Sequence, residues 1–177
     1  MNKIISNRST IIGFIGIILG ASGLGLGAIS IIMVQTQVSV EPDISTQKAR
    51  VYLNSIQAVA GGAFDLVQFD TKTYDTANNF NILAHMYIVS TTGYYFIKGS
   101  IAADISSTQY VRLSIDVNAV RIVTSQGFLS RDNQTHWISD VLSLSEGDLI
   151  SLSAYFENSV NIIPGENRTY LTICQLN

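Results

Sequence analysis

Between Phe69 and Phe96 the chain spaces its aromatic residues too evenly, and interrupts them too often, to be anything but a series of short strands. The run reads Phe69-Asp70-Thr71-Lys72-Thr73-Tyr74-Asp75, with Phe80 five residues on, Tyr87 seven further, and then Gly93-Tyr94-Tyr95-Phe96. Asn, Asp, Thr and Gly separate the aromatic groups, and these residues relax cheaply into turn geometry. The same grammar continues downstream. Val111, Leu113, Ile115 and Val117 alternate with Arg112, Ser114 and Asp116, and Ile150, Leu152, Ala154 and Phe156 alternate with Ser151, Ser153 and Tyr155. A period of two predicts strands that bury one face and wet the other. In Leu144-Ser145-Glu146-Gly147-Asp148-Leu149, Gly147 suits a turn that needs positive φ and Asp148 can accept from the turn backbone.

These spacings together resemble the globular head of complement C1q and, behind it, the tumour necrosis factor superfamily. The family pattern is an aromatic, an Asn or Asp six residues later, a bulky residue five after that, an aromatic seven on, and then Gly-x-Tyr. Phe69, Asp75, Phe80, Tyr87, Gly93 and Tyr95 fall on it in register, and Gly147-Asp148 resembles its second signature. Thr169 to Ile173 looks like its last strand. Ile97 and Gly99 depart from it, standing where the family prefers aromatic residues. The resemblance runs from near Val51 to the C-terminus. It implies an all-β jelly-roll sandwich that assembles as a homotrimer around aromatic-rich faces, and in some relatives calcium near the trimer apex.

Upstream the composition changes. No charged residue occurs from Ile11 to Val34, about two dozen positions, enough for a helix to cross a hydrocarbon layer of about 30 Å. The reading is a membrane span, with a cleaved secretory signal as the alternative, although that apolar region normally runs only about 7 to 15 residues. Lys3 and Arg8 precede the span while Glu41 and Asp43 follow it, which predicts a cytoplasmic N-terminus and an external C-terminal domain. Gly13, Gly16, Gly20, Gly23 and Gly27 recur at spacings of three and four, a stripe along which membrane helices can approach closely, though glycine is also common in such helices. Gln35 to Arg50 is polar, contains Pro42 and lacks a Gly-x-y repeat, so it reads as a short stalk with an edge strand at Gln37 to Val40. The expected organisation is therefore a cytoplasmic segment 1–10, a transmembrane helix or signal anchor 11–34, a stalk 35–50 and a C1q/TNF-like jelly-roll domain 51–177.

Chemistry is sparse. Net charge is -3 and the few Lys and Arg are scattered, which argues against nucleic acid as a partner. The single cysteine, Cys174, cannot form an internal disulfide and reads as a small buried hydrophobe. His85 lies in an apolar run and reads as a core or edge histidine held by a hydrogen bond; His136, beside Trp137, reads as a surface residue of a polar loop. No nucleophile motif, metal-ligand spacing or phosphate loop is present, so neither an enzyme nor a cofactor is expected. Asp132, Asn133 and Asp104 have the hard oxygens calcium prefers, but without the spaced carboxylates of a dedicated loop they read first as solvated. Asn133-Gln134-Thr135 and Asn167-Arg168-Thr169 are glycosylation sequons on the expected outer side; Asn7-Arg8-Ser9 would face the cytoplasm.

The expected function is a membrane-anchored extracellular recognition or adhesion protein, its trimeric head binding an external protein, a glycan or a neighbouring surface. The alternative is a structural subunit of a cell-surface coat or filament. Both rest on analogy of fold.

Overall fold

The computed structural model describes residues 46–176. The segment 1–10, the span at 11–34 with its five glycines, and the stalk as far as residue 45, including the strand expected at Gln37 to Val40, lie outside the described residues. Among the described residues no helix is long and apolar enough to cross a membrane.

Thirteen strands make up the described chain: β1 (Lys48–Tyr52), β2 (Gln57–Val59), β3 (Phe64–Leu66), β4 (Thr71–Asp75), β5 (Phe80–Asn81), β6 (Met86–Ile88), β7 (Gly93–Asp104), β8 (Gln109–Val117), β9 (Val120–Leu129), β10 (Thr135–Leu144), β11 (Leu149–Phe156), β12 (Val160–Ile162) and β13 (Tyr170–Leu176). They form two antiparallel sheets. In the first, β10 pairs with β7, followed by β13, β1 and β4, while β12 and β2 extend the far end of β7. In the second the order is β5-β6-β11-β8-β9, with β3 on the free side of β11. Few of these neighbours are consecutive in sequence, as a jelly roll requires.

The core is what the period of two dictates. Tyr95, Ile97, Ile101, Leu171 and Ile173 point inward from the first sheet and meet Val111, Leu113, Ile115, Ile150, Leu152 and Phe156 from the second. Each such side chain contributes about 1.5 to 3 kcal/mol by leaving water. Gly99 has a packing reason: a Cβ there would overlap the Leu152 side chain, which crosses from the facing sheet into the space a larger residue would take. The aromatic the family prefers at this position is replaced by a leucine reaching from the other side.

Two loops show how short polar sequences fix strand entry. Asp75 closes the turn into β5, its Oδ1 accepting from the Asn79 amide at 3.0 Å and its Oδ2 from the Phe80 amide at 2.9 Å and from Lys72 Nζ at 2.7 Å. Between β10 and β11, Gly147 sits at φ +94° and Asp148 accepts from the Ser145 amide and the Asn118 side chain, both at 2.8 Å. Those two contacts, the backbone one first, hold the Asp148 carboxyl below its usual range.

The outer positions of β8 and β11 are not wet, contrary to the simplest reading of the alternation. Ser114, Asp116, Ser151 and Ser153 are all buried. The Asp116 carboxylate accepts from Ser114 Oγ and from Ser153 Oγ, each at 2.7 Å, which satisfies it away from bulk water. Arg121 of β9 reaches across β8 and β11 to stack on Phe64 of β3, and this pair covers the strands between them.

Candidate functional site

The open side of the first sheet is assembled by register. Across β10, β7 and β13, Val141 stands beside Phe96 and Cys174; two rows along, past the polar row of Ser139, Lys98 and Thr172, Trp137 stands beside Ser100 and Tyr170, and one row the other way Ser143 stands beside Tyr94 and Leu176. All these side chains point away from the core because their neighbours Tyr95, Ile97, Leu171 and Ile173 point into it. The result is a largely apolar surface. Tyr94 is 61% exposed and Trp137 60%, and Val141, Leu176 and Tyr74 of β4 are exposed with them. Lys98 Nζ lies 6.0 Å from the Trp137 ring, and the Arg50 guanidinium lies 4.0 Å from the Tyr170 ring. Arg50 is held there by donating to Thr172 Oγ1 at 3.0 Å and to the Glu166 carbonyl at 2.9 Å.

The aromatic cluster singled out in the sequence is thereby divided. Phe69, Phe80, Tyr87 and Tyr95 are buried, while Tyr94 is exposed and Phe96 half-buried. Tyr95 donates its hydroxyl to the Thr91 carbonyl at 2.7 Å, and burial pushes its phenol up to about 12. Burial also raises Tyr87, against the lowering effect of the Asn79 side chain. Gly93 is half-buried at the start of β7. Trp137, Val141, Leu176 and Tyr74 are members of the face that the sequence reading passed over. For Trp137, Val141 and Leu176 the signal was alternation on β10 and β13, masked because both faces of these strands carry apolar residues; Tyr74, on β4, stood in the opening run without being singled out.

His85 is half-buried at φ +57° and its Nδ1 lies 3.0 Å from the Phe69 carbonyl. His136 differs from the expected loop residue. It lies on β10, half-buried, with Nε2 2.9 Å from Ser125 Oγ on β9, and burial lowers its pKa. Ser125 Oγ also donates to the Trp137 carbonyl at 3.2 Å. The pair joins the edges of the two sheets; it has no carboxylate hydrogen-bonded to the imidazole among the described residues, so it lacks the orienting group of a catalytic triad. Cys174 is half-buried on the open side of β13 rather than in the core.

Asp104, Asp132 and Asn133 line one concavity of about 330 Å³ with Asn161, Ile56 and Pro164. Asp132 Oδ1 is already accepting from the Ile105 amide at 2.8 Å. Among the described residues no three His, Cys, Asp or Glu side chains come together to hold a metal. Asn133, at φ +61°, and Asn167 both lie exposed in turns. Thr169, two residues beyond Asn167, is buried, donating to the Ile163 carbonyl at 2.7 Å and accepting from the Ala102 amide at 3.1 Å.

No protein-family model matches this sequence, and no curated protein does. Solved structures match it in fold. A crystal structure of murine APRIL aligns with TM-score 0.56 at 14% identity over 74% of this chain and 99% of that one. The globular domain of zebrafish complement 1qA aligns with TM-score 0.51 at 17% identity, covering 73% of this chain and 95% of its own. Eiger TNF from S. frugiperda aligns with TM-score 0.51 at 15% identity, covering 75% and 93%. The sandwich is thus similar to both branches that the sequence motifs resemble.

Proposed function

We propose that this chain, whose head has the C1q/TNF-like fold, is a membrane-anchored extracellular recognition or adhesion protein working as a homotrimer. The observation that carries the assembly is the open side of the first sheet. A largely apolar surface containing Tyr94, Trp137, Val141 and Leu176, crossed by the polar row of Ser139, Lys98 and Thr172, is costly to leave in water and supports a contact with another protein there. A closed rotational assembly hides such a surface on every subunit alike. The number three comes from the resemblance, and the span at 11–34 with its glycine stripe would add a helix–helix contact between chains within the membrane. The role is binding, with no catalytic step. In the Asp104–Asp132 concavity, calcium would have two carboxylates and the Asn133 amide as ligands.

Light scattering on a chain shortened to residues 46–177 tests the assembly, with a trimeric mass expected and a monomer at micromolar concentration overturning it. Tyr94→Lys and Trp137→Lys should each shift the mass toward monomer while leaving the circular dichroism unchanged. Protease added to intact cells should remove the head and spare the N-terminus. A mature protein beginning near Ser22 would replace the anchor with a cleaved signal.

A further inference from the structure

The open side of the second sheet carries a row of rings that ends in unpaired positive charge. Phe128 stands across from Tyr110 between β9 and β8, Arg112 across from Tyr155 between β8 and β11, and Tyr155 across from Phe64 between β11 and β3. The rings follow one another across four strands, with centroids 5.5 Å apart from Phe128 to Tyr110, 6.3 Å from Tyr110 to Tyr155 and 5.6 Å from Tyr155 to Phe64. At the Phe64 end two guanidiniums gather on a single ring, Arg121 at 4.1 Å and Arg112 at 5.2 Å from its centroid. The only ion pair among the described residues is Lys72 with Asp75, so neither arginine has a carboxylate partner there. Asp116, the carboxylate beside Arg121 in the register, is buried and already accepts from two serines. The Nε of Arg112 is buried with no hydrogen-bond partner.

Like charges held together over one ring, with a buried donor left unsatisfied, are unfavourable in the isolated head and become favourable when an anion arrives. The shape of the surface then selects the kind of molecule. The row runs across the sheet face from one edge strand, β9, to another, β3, so a ligand seated on the rings meets side chains and not the backbone edge that a peptide strand would pair with. The concavities near Asp104 and near Asn78 lie elsewhere. A shallow row of rings with Phe128 exposed at its outer end matches the apolar C–H face of a pyranose, which stacks on an aromatic ring without needing a pocket. A carboxylate or sulfate on such a sugar would meet Arg121 as a planar, charge-assisted hydrogen-bond partner.

We propose that this face binds an anionic glycan, with Arg121 and Arg112 taking the charged group and the row from Phe64 to Phe128 taking the sugar rings. This inference rests on the recognition reading of the head but not on its being a trimer, because the row lies on the sheet opposite the candidate assembly face.

The test uses the full chain in detergent, with 3′-sialyllactose, 3′-sulfolactose, uncharged lactose and a short Asp/Glu peptide as probes, read by saturation-transfer NMR and calorimetry. One or both charged sugars should bind, and which does identifies the anion. Lactose and the peptide should bind at least tenfold more weakly. Arg121→Gln, an exposed position, should weaken the charged sugar at least tenfold and flatten its salt dependence; Phe128→Ala should weaken it severalfold with the salt dependence unchanged. Equal binding of lactose and the charged sugars, indifference to Arg121→Gln, or displacement of the sugar by the peptide would overturn the proposal. Light scattering on the same samples reports assembly separately, so a failure of glycan binding is distinguishable from a failure of the trimer.

Discussion

Tyr95 spends its ring on the core and its hydroxyl on the Thr91 carbonyl, and the two contributions can be separated. Truncating a buried aromatic to Ala costs about 3 to 5 kcal/mol, whereas removing one hydroxyl that leaves a carbonyl short of a donor costs about 1 kcal/mol. Urea denaturation of Tyr95→Ala and Tyr95→Phe should show that difference, and a Tyr95→Ala protein as stable as the parent would contradict its place in the core. At the turn joining β8 to β9, Asn118 and Ala119 hold φ of +52° and +63°, the paired left-handed geometry of a tight hairpin. Alanine is strained there and glycine is not. Ala119→Gly should therefore stabilise the domain by about 0.5 to 1 kcal/mol, since the relief exceeds glycine's added freedom in the unfolded chain. A neutral or destabilising result would mean that the hairpin has relaxed. His136 supplies a pH dependence whose sign is fixed by burial. Its folded pKa lies below the ordinary 6.5, so the unfolded chain takes up the proton first. Stability is full above 6.5 and declines as pH falls through that value toward the folded pKa. His136→Gln should abolish the decline in melting temperature over that window, leaving acid loss below 3.8, where the lowered Asp148 carboxyl titrates.

At the scale of elements, the turn from β4 to β5 is organised by one carboxylate. Asp75 accepts from two backbone amides and from Lys72, with its side chain only 3% exposed. Replacing it by Ala would strand both amides, and charge-assisted bonds of this kind are worth about 1.5 to 3 kcal/mol each. Asp75→Ala should lower stability by about 3 kcal/mol, and Asp75→Asn by less because one acceptor remains. Equal losses in the two variants would assign the effect to packing instead. The strands were readable wherever one face is apolar and the other polar, as in β8 and β11. What the alternation could not convey is that a polar face can itself be covered. Ser114, Asp116 and Ser153 are polar and buried because Phe64 and Arg121, from strands distant in sequence, meet above them.

For the whole molecule, the chain's single tryptophan is a reporter placed on the candidate assembly face. If the heads associate there, Trp137 emission should shift to the red on dilution, in step with the fall in scattering mass. The melting temperature should rise with protein concentration, because association binds only the folded state. Emission that stays constant while the mass falls would move the contact away from β10.

Local pattern was enough to show strands between Phe69 and Phe96, at β8, β11 and β13, and the turn at Gly147, while the C1q/TNF-like sandwich followed from the resemblance of several spaced motifs to that family. Hydrophobic alternation and turn chemistry act over a few residues, so they are written where they operate. Tertiary structure decided which aromatic residues stay outside. Tyr94 and Tyr95 are adjacent and chemically identical, yet the pleat of β7 sends one into the core and the other to the open side. That side becomes a continuous face only because β10 and β13, about forty and eighty residues downstream, pair on either flank of β7. The same holds for the ring row on the second sheet, whose four rings come from β3, β8, β9 and β11. A surface of this sort is made by register between distant strands, and no window of sequence contains it.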